Sequence, residues 1–311
     1  MSDRPRARRS SSFVIRAGRR LACSSLVAAA LVPMLLAESA QASFPGRNGR
    51  IAYSAPSSEL GTDVFTVAAN GSGRARLTTT GDASSPAWSR DGRQLAFVRR
   101  PGGVGGDLWV MSSSGQSKTQ LTAGASDDSD PAWSPDGQHL ALSRSGQLFV
   151  YTMKTKALRR LTTGGSYEGA WSPNGRSIAF SRLVGGGRTQ QSELFTIRPD
   201  GTGLRQVTRT AVEEHSPDWA PDGSRIAFDR GGSACTVGVF SVRPDGTGTS
   251  RVRDARCNDV HPSWSPDGRL VALQSSIGPD RQDGLWTVAA NGSAARFLVP
   301  GATEPAWQPV P

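Results

Sequence analysis

The chain has 311 residues, 36 % hydrophobic and 20 % charged, too apolar for a disordered polymer and too polar for a multi-span membrane protein. Its 36 glycines and 20 prolines leave little room for long helices and point to short strands joined by tight turns. The formal charge is +10, but residues 1–42 hold seven arginines against Asp3 and Glu38; with half of the excess sitting there, a basic nucleic-acid binder is not implied.

Residues 1–42 read as an export leader. Met1 to Arg20 is rich in Arg and Ser, Leu21 to Leu36 is apolar, and Ala40-Gln41-Ala42 offers a small-x-small cleavage site. The layout predicts cleavage after Ala42, with Arg8-Arg9 and Arg19-Arg20 raising the twin-arginine route beside the general one. The apolar stretch is short for a bilayer span and contains Pro33, which argues against an uncleaved anchor. The mature product, residues 43–311, is expected to carry no membrane span and to be monomeric and exported: periplasmic, cell-wall associated or secreted.

From there the sequence repeats itself. SPAWSRDG at 85–92, DPAWSPDG at 130–137, EGAWSPNG at 168–175, SPDWAPDG at 216–223 and HPSWSPDG at 261–268 are followed by EPAWQP at 304–309. Each of the first five leads into an alternating apolar segment (QLAFVR, HLALSR, SIAFSR, RIAFDR, RLVALQ), then a second (DLWVM, QLFVYT, ELFTI, VGVFSV, GLWTV) and a short third. Alternation of period two over five or six residues marks a half-buried strand. The Pro-Asp-Gly between the first two segments is a hairpin turn, with Pro fixing φ and Gly accepting the left-handed conformation. One unit is thus a four-stranded antiparallel meander, which cannot bury its faces alone; repeated around an axis, meanders make a β-propeller.

The two ends complete the ring. The last copy stops after its first strand, and FPGRNGRIAYS at 44–54 supplies the missing turn and second strand, followed by strands at Asp63–Val67 and Arg74–Thr78. The expected fold is all-β: six blades, one of them shared by both termini. The Trp-Ser-Pro-Asp-Gly hairpin followed by Ile-Ala-Phe is similar to the WD40-like (PD40) repeat of TolB-type propellers, a periplasmic family with six blades. The resemblance covers residues 44–311 and implies a propeller domain alone, without the separate α/β domain that TolB-type proteins carry. It also implies a role in the envelope.

The hairpin face is short and uniform, so function is expected on the opposite, variable-loop face. Counting back three residues from each repeat Trp gives a ring at the channel mouth: Ser85, Asp130, Glu168, Ser216, His261 and Glu304. One step further back stand Ser84, Ser129, Tyr167, His215, Val260 and Thr303, with Asp82, Asp127, Asp128, Glu213, Glu214 and Asp259 near them. Two readings stand. This acidic funnel binds a cationic or hydroxyl-rich ligand, or a hard cation such as Ca²⁺ through carboxylate oxygens; or its acids pair with Arg99, Arg144, Arg182 and Arg230. The candidate ligand or partner contacts are Asp130, Glu168, His261, Glu304, His215, Tyr167, Glu214 and Asp259. His215, His261 and Asp259 are candidate transition-metal ligands, whereas His139 falls on a second strand and is expected at the surface.

Cys235 and Cys257 map to one blade's variable loops and, in an exported chain, are expected to form a disulfide. The repeated tryptophans read as inter-blade core, and the basic residues of the fourth strands (Arg74, Arg76, Lys118, Arg159, Arg160, Arg205, Arg251, Arg253) as protection of exposed sheet edges. No Gly-x-Ser-x-Gly elbow occurs. The function expected is a binding or scaffolding propeller without catalysis or cofactor, its partner an envelope protein or a peptidoglycan-associated component by the resemblance. The alternative is a metal-dependent lyase or hydrolase on carbohydrate at the channel mouth.

Overall fold

In the computed structural model, residues 43–58, 61–187, 190–231, 238–253, 259–277 and 282–311 are described. The leader and the Cys235–Cys257 pair lie outside the described residues. The rest forms six four-stranded antiparallel sheets. Their inner strands are Ala83–Trp88, Asp128–Trp133, Ser166–Trp171, Glu213–Trp219, Val260–Trp264 and Thr303–Val310; the blades are numbered 1 to 6 in that order. Blade 6 joins the C-terminal strand to Arg47–Ser58, Gly61–Ala68 and Ala75–Arg76, so the ring closes by hydrogen bonds between the two ends. Each inner strand touches the next, and the sixth touches the first. Six blades, as the repeat count predicts, are present. Among the described residues no helix is long and apolar enough to cross a membrane.

The hairpin chemistry recurs from blade to blade. In blade 1 the Ser89 hydroxyl donates to Asp91 at 2.6 Å, the Arg93 N–H donates to the same Oδ1 at 3.1 Å, and the Gln94 N–H returns to Ser89 Oγ at 3.0 Å. Gly92 closes the turn at φ +65°, where a Cβ would also fall 2.2 Å from the Pro309 carbonyl. At the far end of blades 6, 1, 2 and 3 a threonine hydroxyl caps the third strand. Thr78, Thr122, Thr162 and Thr208 each accept the N–H of Val64, Leu108, Leu148 or Leu194 at 2.9 Å.

The core is divided into six apolar clusters, each spanning two neighbouring blades. Trp133 packs with Ala96, Val98 and Leu108 of blade 1, Trp219 with Leu194 and Val207 of blade 3, and Trp307 with Leu285 and Val299 of blade 5. The repeated tryptophan is therefore an inter-blade residue, and burying so large a ring at every interface is what holds the blades together. His139, expected at the surface, keeps 33 % of its side chain exposed, with its ring 6.3 Å from that of Trp171 in the next blade.

Candidate functional site

Every inner strand carries a β-bulge at the same place, where the pairing with its second strand slips by one residue. The bulged residues are Ser85, Asp130, Glu168, Ser216, His261 and Glu304, and all six have φ between +52° and +59°. None is glycine, so each holds a left-handed conformation that side chains disfavour. In five blades the next residue is proline, which brings no N–H and so leaves no orphaned donor at the bulge. Blade 3 has Gly169 instead, because a Cβ there would lie 2.6 Å from Leu148. Six strained residues stacked around one axis are the kind of feature that a surrounding scaffold must over-determine.

The left-handed turn aims four of the ring amides at the preceding blade. The Ser216 N–H donates to Glu168 Oε2 at 2.8 Å, and the Ser85 N–H to Glu304 Oε2 at 2.7 Å. The Glu168 N–H donates to Ser143 Oγ at 3.0 Å and the His261 N–H to Asp229 Oδ1 at 3.4 Å. Ser54 and Ser181 add their hydroxyls to Glu304 and Glu168. Ser54, Ser143, Ser181 and Asp229 occupy equivalent positions on the second strands and form an inner supporting circle that the count back from the tryptophans does not find. Its signal is a polar residue at an otherwise apolar step of the strand; in blade 1 that step is Val98, which offers Asp130 no acceptor.

The ring itself is closed to solvent, from 0 % exposure at Asp130 to 7 % at His261 and Glu304. Glu168 and Glu304 are thus turned into the protein as ties between blades. The layer above is open. Tyr167, Ser84, Val260 and Thr303 are half-buried, the His215 side chain is 30 % exposed, and that of Glu213 54 %. Arg100 lies among them, its guanidinium 3.3 Å from the Ser84 hydroxyl and 3.5 Å from Asp127.

The remaining acids divide cleanly. Asp82 holds Arg99, Asp128 holds Arg144 at 2.5 and 2.7 Å, and Glu214 holds Arg230 at 2.8 Å. Among the described residues Arg182 pairs with no such acid, and it lies over the Phe195 ring at 5.6 Å. Asp259 is fully buried and accepts the Ser275 hydroxyl. His261 Nδ1 lies 3.1 Å from Gln274 Oε1. The three candidate metal ligands are not brought together: among the described residues no group of three His, Cys, Asp or Glu side chains is placed to hold a metal ion.

Charge at the mouth centres on blades 2 to 4. Burial and the neighbouring Glu168 push the Asp130 carboxyl up to about 7, against the opposing pull of the Ser143 and Ser129 hydroxyls and Arg100. One oxygen, Oδ1, has no hydrogen-bond partner among the described residues. Burial works against charging His215, yet Glu168, Asp229 and Glu213 together raise it to about 9. Glu168 is lowered despite its burial, through His215, Ser181 and the Ser216 amide. At neutral pH, Glu168 and His215 therefore form an ion pair, 3.7 Å apart, with a carboxyl beside it that is about half ionised. A protonated imidazole is a hydrogen-bond donor and not a metal ligand.

A model of the TolB β-propeller domain matches residues 43–228, more than half of the chain. The chain belongs to the TolB β-propeller family. Among solved structures it is similar to TolB from Acinetobacter baumannii, at 19 % identity and a TM-score of 0.71, over 84 % of this chain and 67 % of that one. It is also similar to an oligogalacturonate lyase in complex with manganese, at 16 % identity and a TM-score of 0.55, over 81 % and 73 %. Both likenesses are of fold. A local match, 51 % identical over 43 residues, is to dipeptidyl-peptidase 5 of Porphyromonas gingivalis; it spans 13 % of this chain and 6 % of that enzyme.

Proposed function

We propose that this TolB-family propeller is an exported envelope protein that binds a protein or a peptidoglycan-associated component through its variable-loop face and channel mouth, without catalysis. The observation that carries the reading is the pairing of a rigid, strained, buried ring with a half-open polar layer directly above it. Tyr167 offers an aromatic face, His215 a cation, and Arg100 and Arg182 further donors; such a set suits hydroxyl-rich or carboxylate-bearing ligands. Glu168, Asp130, His261 and Glu304 lie beneath and fix the geometry and field, while Glu214 and Asp259 secure neighbouring loops. Ca²⁺ at the acids is the less favoured ligand, because Glu168 and Glu304 already accept hydroxyl and amide donors.

The test uses purified cell-wall sacculi and envelope extract as probes. Wild-type protein is expected to sediment with one of them, and a Tyr167→Ala/His215→Ala double variant to lose at least about tenfold in retention, the cost of two anchoring side chains. Equal retention of the double variant overturns the reading. The likeness to the manganese-bound lyase keeps carbohydrate cleavage as the alternative: stoichiometric Mn or Zn in the purified protein, with release of unsaturated products from a polyuronate, would establish it.

A further inference from the structure

The axis has a second end, and one residue there breaks the repeat. Immediately before the repeat tryptophan, blades 1, 2, 3 and 6 carry Ala87, Ala132, Ala170 and Ala306, and blade 5 carries Ser263. Blade 4 carries Asp218. All six are paired to an alanine on the second strand (Ala96, Ala141, Ala179, Ala227, Ala272 and Ala52), so the site is built for small side chains. Asp218 is 0 % exposed. The Trp264 N–H donates to Oδ2 at 2.6 Å, while Oδ1 is buried without a hydrogen-bond partner among the described residues. Among the described residues no Lys, Arg or His pairs with it, and burial pushes its carboxyl well above the ordinary range. An uncompensated buried acid of this kind is costly to keep.

The chain that reaches Asp218 is residues 43–44. The Ser43 hydroxyl donates to Asp218 Oδ2 at 2.8 Å, and its backbone N–H also acts on that carboxylate, against the effect of burial. Ser43 also donates to the Trp264 carbonyl at 2.7 Å, which seats it on blades 4 and 5. Phe44, the very next residue, is 1 % exposed and lies in the apolar cluster of blades 1 and 2, on the opposite side of a six-blade ring. Two consecutive residues touch opposite walls only if they lie across the axis, so Ser43 and Phe44 close the hairpin end of the channel.

We propose that the Ser43 nitrogen becomes the missing cation: once the leader is removed after Ala42, the new α-ammonium forms a buried ion pair with Asp218 and locks residues 43–44 as the floor of the propeller. The pair rests on the export reading, because it needs that cleavage. A leader peptidase and one water hydrolyse the Ala42–Ser43 peptide bond; the carboxylate stays with Ala42, and Ser43 keeps a primary amine that takes up a proton near neutral pH. The ammonium brings a positive charge and two further N–H donors to an atom already placed at the carboxylate, including its unbonded Oδ1. Processing is thereby coupled to stability: the unprocessed chain holds an unpaired acid at its floor, and the processed chain a satisfied pair.

The full chain is produced in an export-competent host and recovered both exported and, with export blocked, still carrying its leader. N-terminal sequencing of the exported form is expected to read Ser43, and its α-amine to resist an amine-acylating reagent until the protein is unfolded. Asp218→Asn is expected to lower the melting temperature of the processed protein by roughly 6–10 °C, and to leave that of the unprocessed chain unchanged or higher. Asp218→Ala, which installs the residue of four sister blades, should show the same reversal and guards against a folding defect of the first variant. An N-terminus other than Ser43 overturns the cleavage reading and the pair with it. Ser43 at the N-terminus with a freely reactive amine, or with the same shift in both forms, overturns the ion pair alone.

Discussion

The two ends of the propeller axis solve opposite problems with the same strand. At the mouth, the inner strands bulge and present polar side chains in a left-handed conformation, and buried carboxylates are held by serines and amides of adjoining blades. Two residues further along each strand, at the floor, the repeat offers alanine in four blades and serine in a fifth, and the single acid has no side-chain partner within the sheets. Charge at the mouth is therefore compensated by the repeat itself, whereas charge at the floor depends on a segment outside it. A repeat fold can distribute support only where every unit contributes the same donor; an individual departure needs an individual partner.

That contrast is broken most severely by removing a tie at the mouth. Glu168 accepts the Ser181 hydroxyl at 2.6 Å and the Ser216 amide at 2.8 Å, and neutralises His215. Glu168→Ala is expected to cost about 3–5 kcal/mol, because it strands two donors in the closed ring and takes the counter-ion from the half-open His215 above it. Denaturant unfolding measures this directly. A loss below about 1 kcal/mol would show that the ring carries no inter-blade load.

The next effect is on pH dependence, and both groups at the mouth move it in one direction. Asp130 has a folded value of about 7, above its ordinary 3.8, so the folded state is favoured at low pH and loses stability as pH rises between those values. His215 is raised from 6.5 to about 9; its contribution is complete below 6.5 and is lost as pH climbs through 9. Asp130→Asn should flatten the lower limb, worth at most about 4 kcal/mol, and His215→Asn the upper, worth at most about 3 kcal/mol. Stability measured from pH 4 to 10 separates the two limbs. An Asp130→Asn profile that keeps the wild-type slope between pH 4 and 7 would contradict the placement of Asp130.

Much of this architecture is written in the sequence. The spacing of Trp88, Trp133, Trp171, Trp219, Trp264 and Trp307 marks the blades, and the incomplete last unit marks the closure, because turn and strand chemistry are local and repeat visibly. Counting back from those tryptophans also lands on the bulged ring. The direction of its side chains is another matter. Ser and Glu, four of the six, carry no sign of a left-handed φ, which glycine or asparagine, and to a degree Asp and His, can advertise, so Glu168 and Glu304 read as solvent-facing acids when the bulge turns them inward. Asp218 was legible as the one acid in a column of small residues. What it meets was not, because Ser43 lies 175 positions away and outside the repeat.

The finest test of the contrast is a pair of glycine substitutions two residues apart on the inner strand of blade 1. At the mouth, Ser85 sits at φ +55°, and its hydroxyl reaches Glu304 only at 3.4 Å, while the N–H that bonds at 2.7 Å belongs to the backbone and survives substitution. Left-handed backbone costs a side-chain-bearing residue roughly 1–2 kcal/mol, and glycine gives back roughly 0.5–1 kcal/mol in lost chain entropy. Ser85→Gly should therefore leave the protein unchanged or about 1 kcal/mol more stable. At the floor, Ala87 is buried at ordinary strand geometry and packs into the cluster with Trp133. Ala87→Gly should cost about 1–2 kcal/mol, from backbone entropy and a lost methyl contact. Opposite signs on one strand would show that the bulge is held by its neighbours against the preference of its own residue. Equal losses would mean that the Ser85 side chain, and not the amide it turns, is what the ring requires.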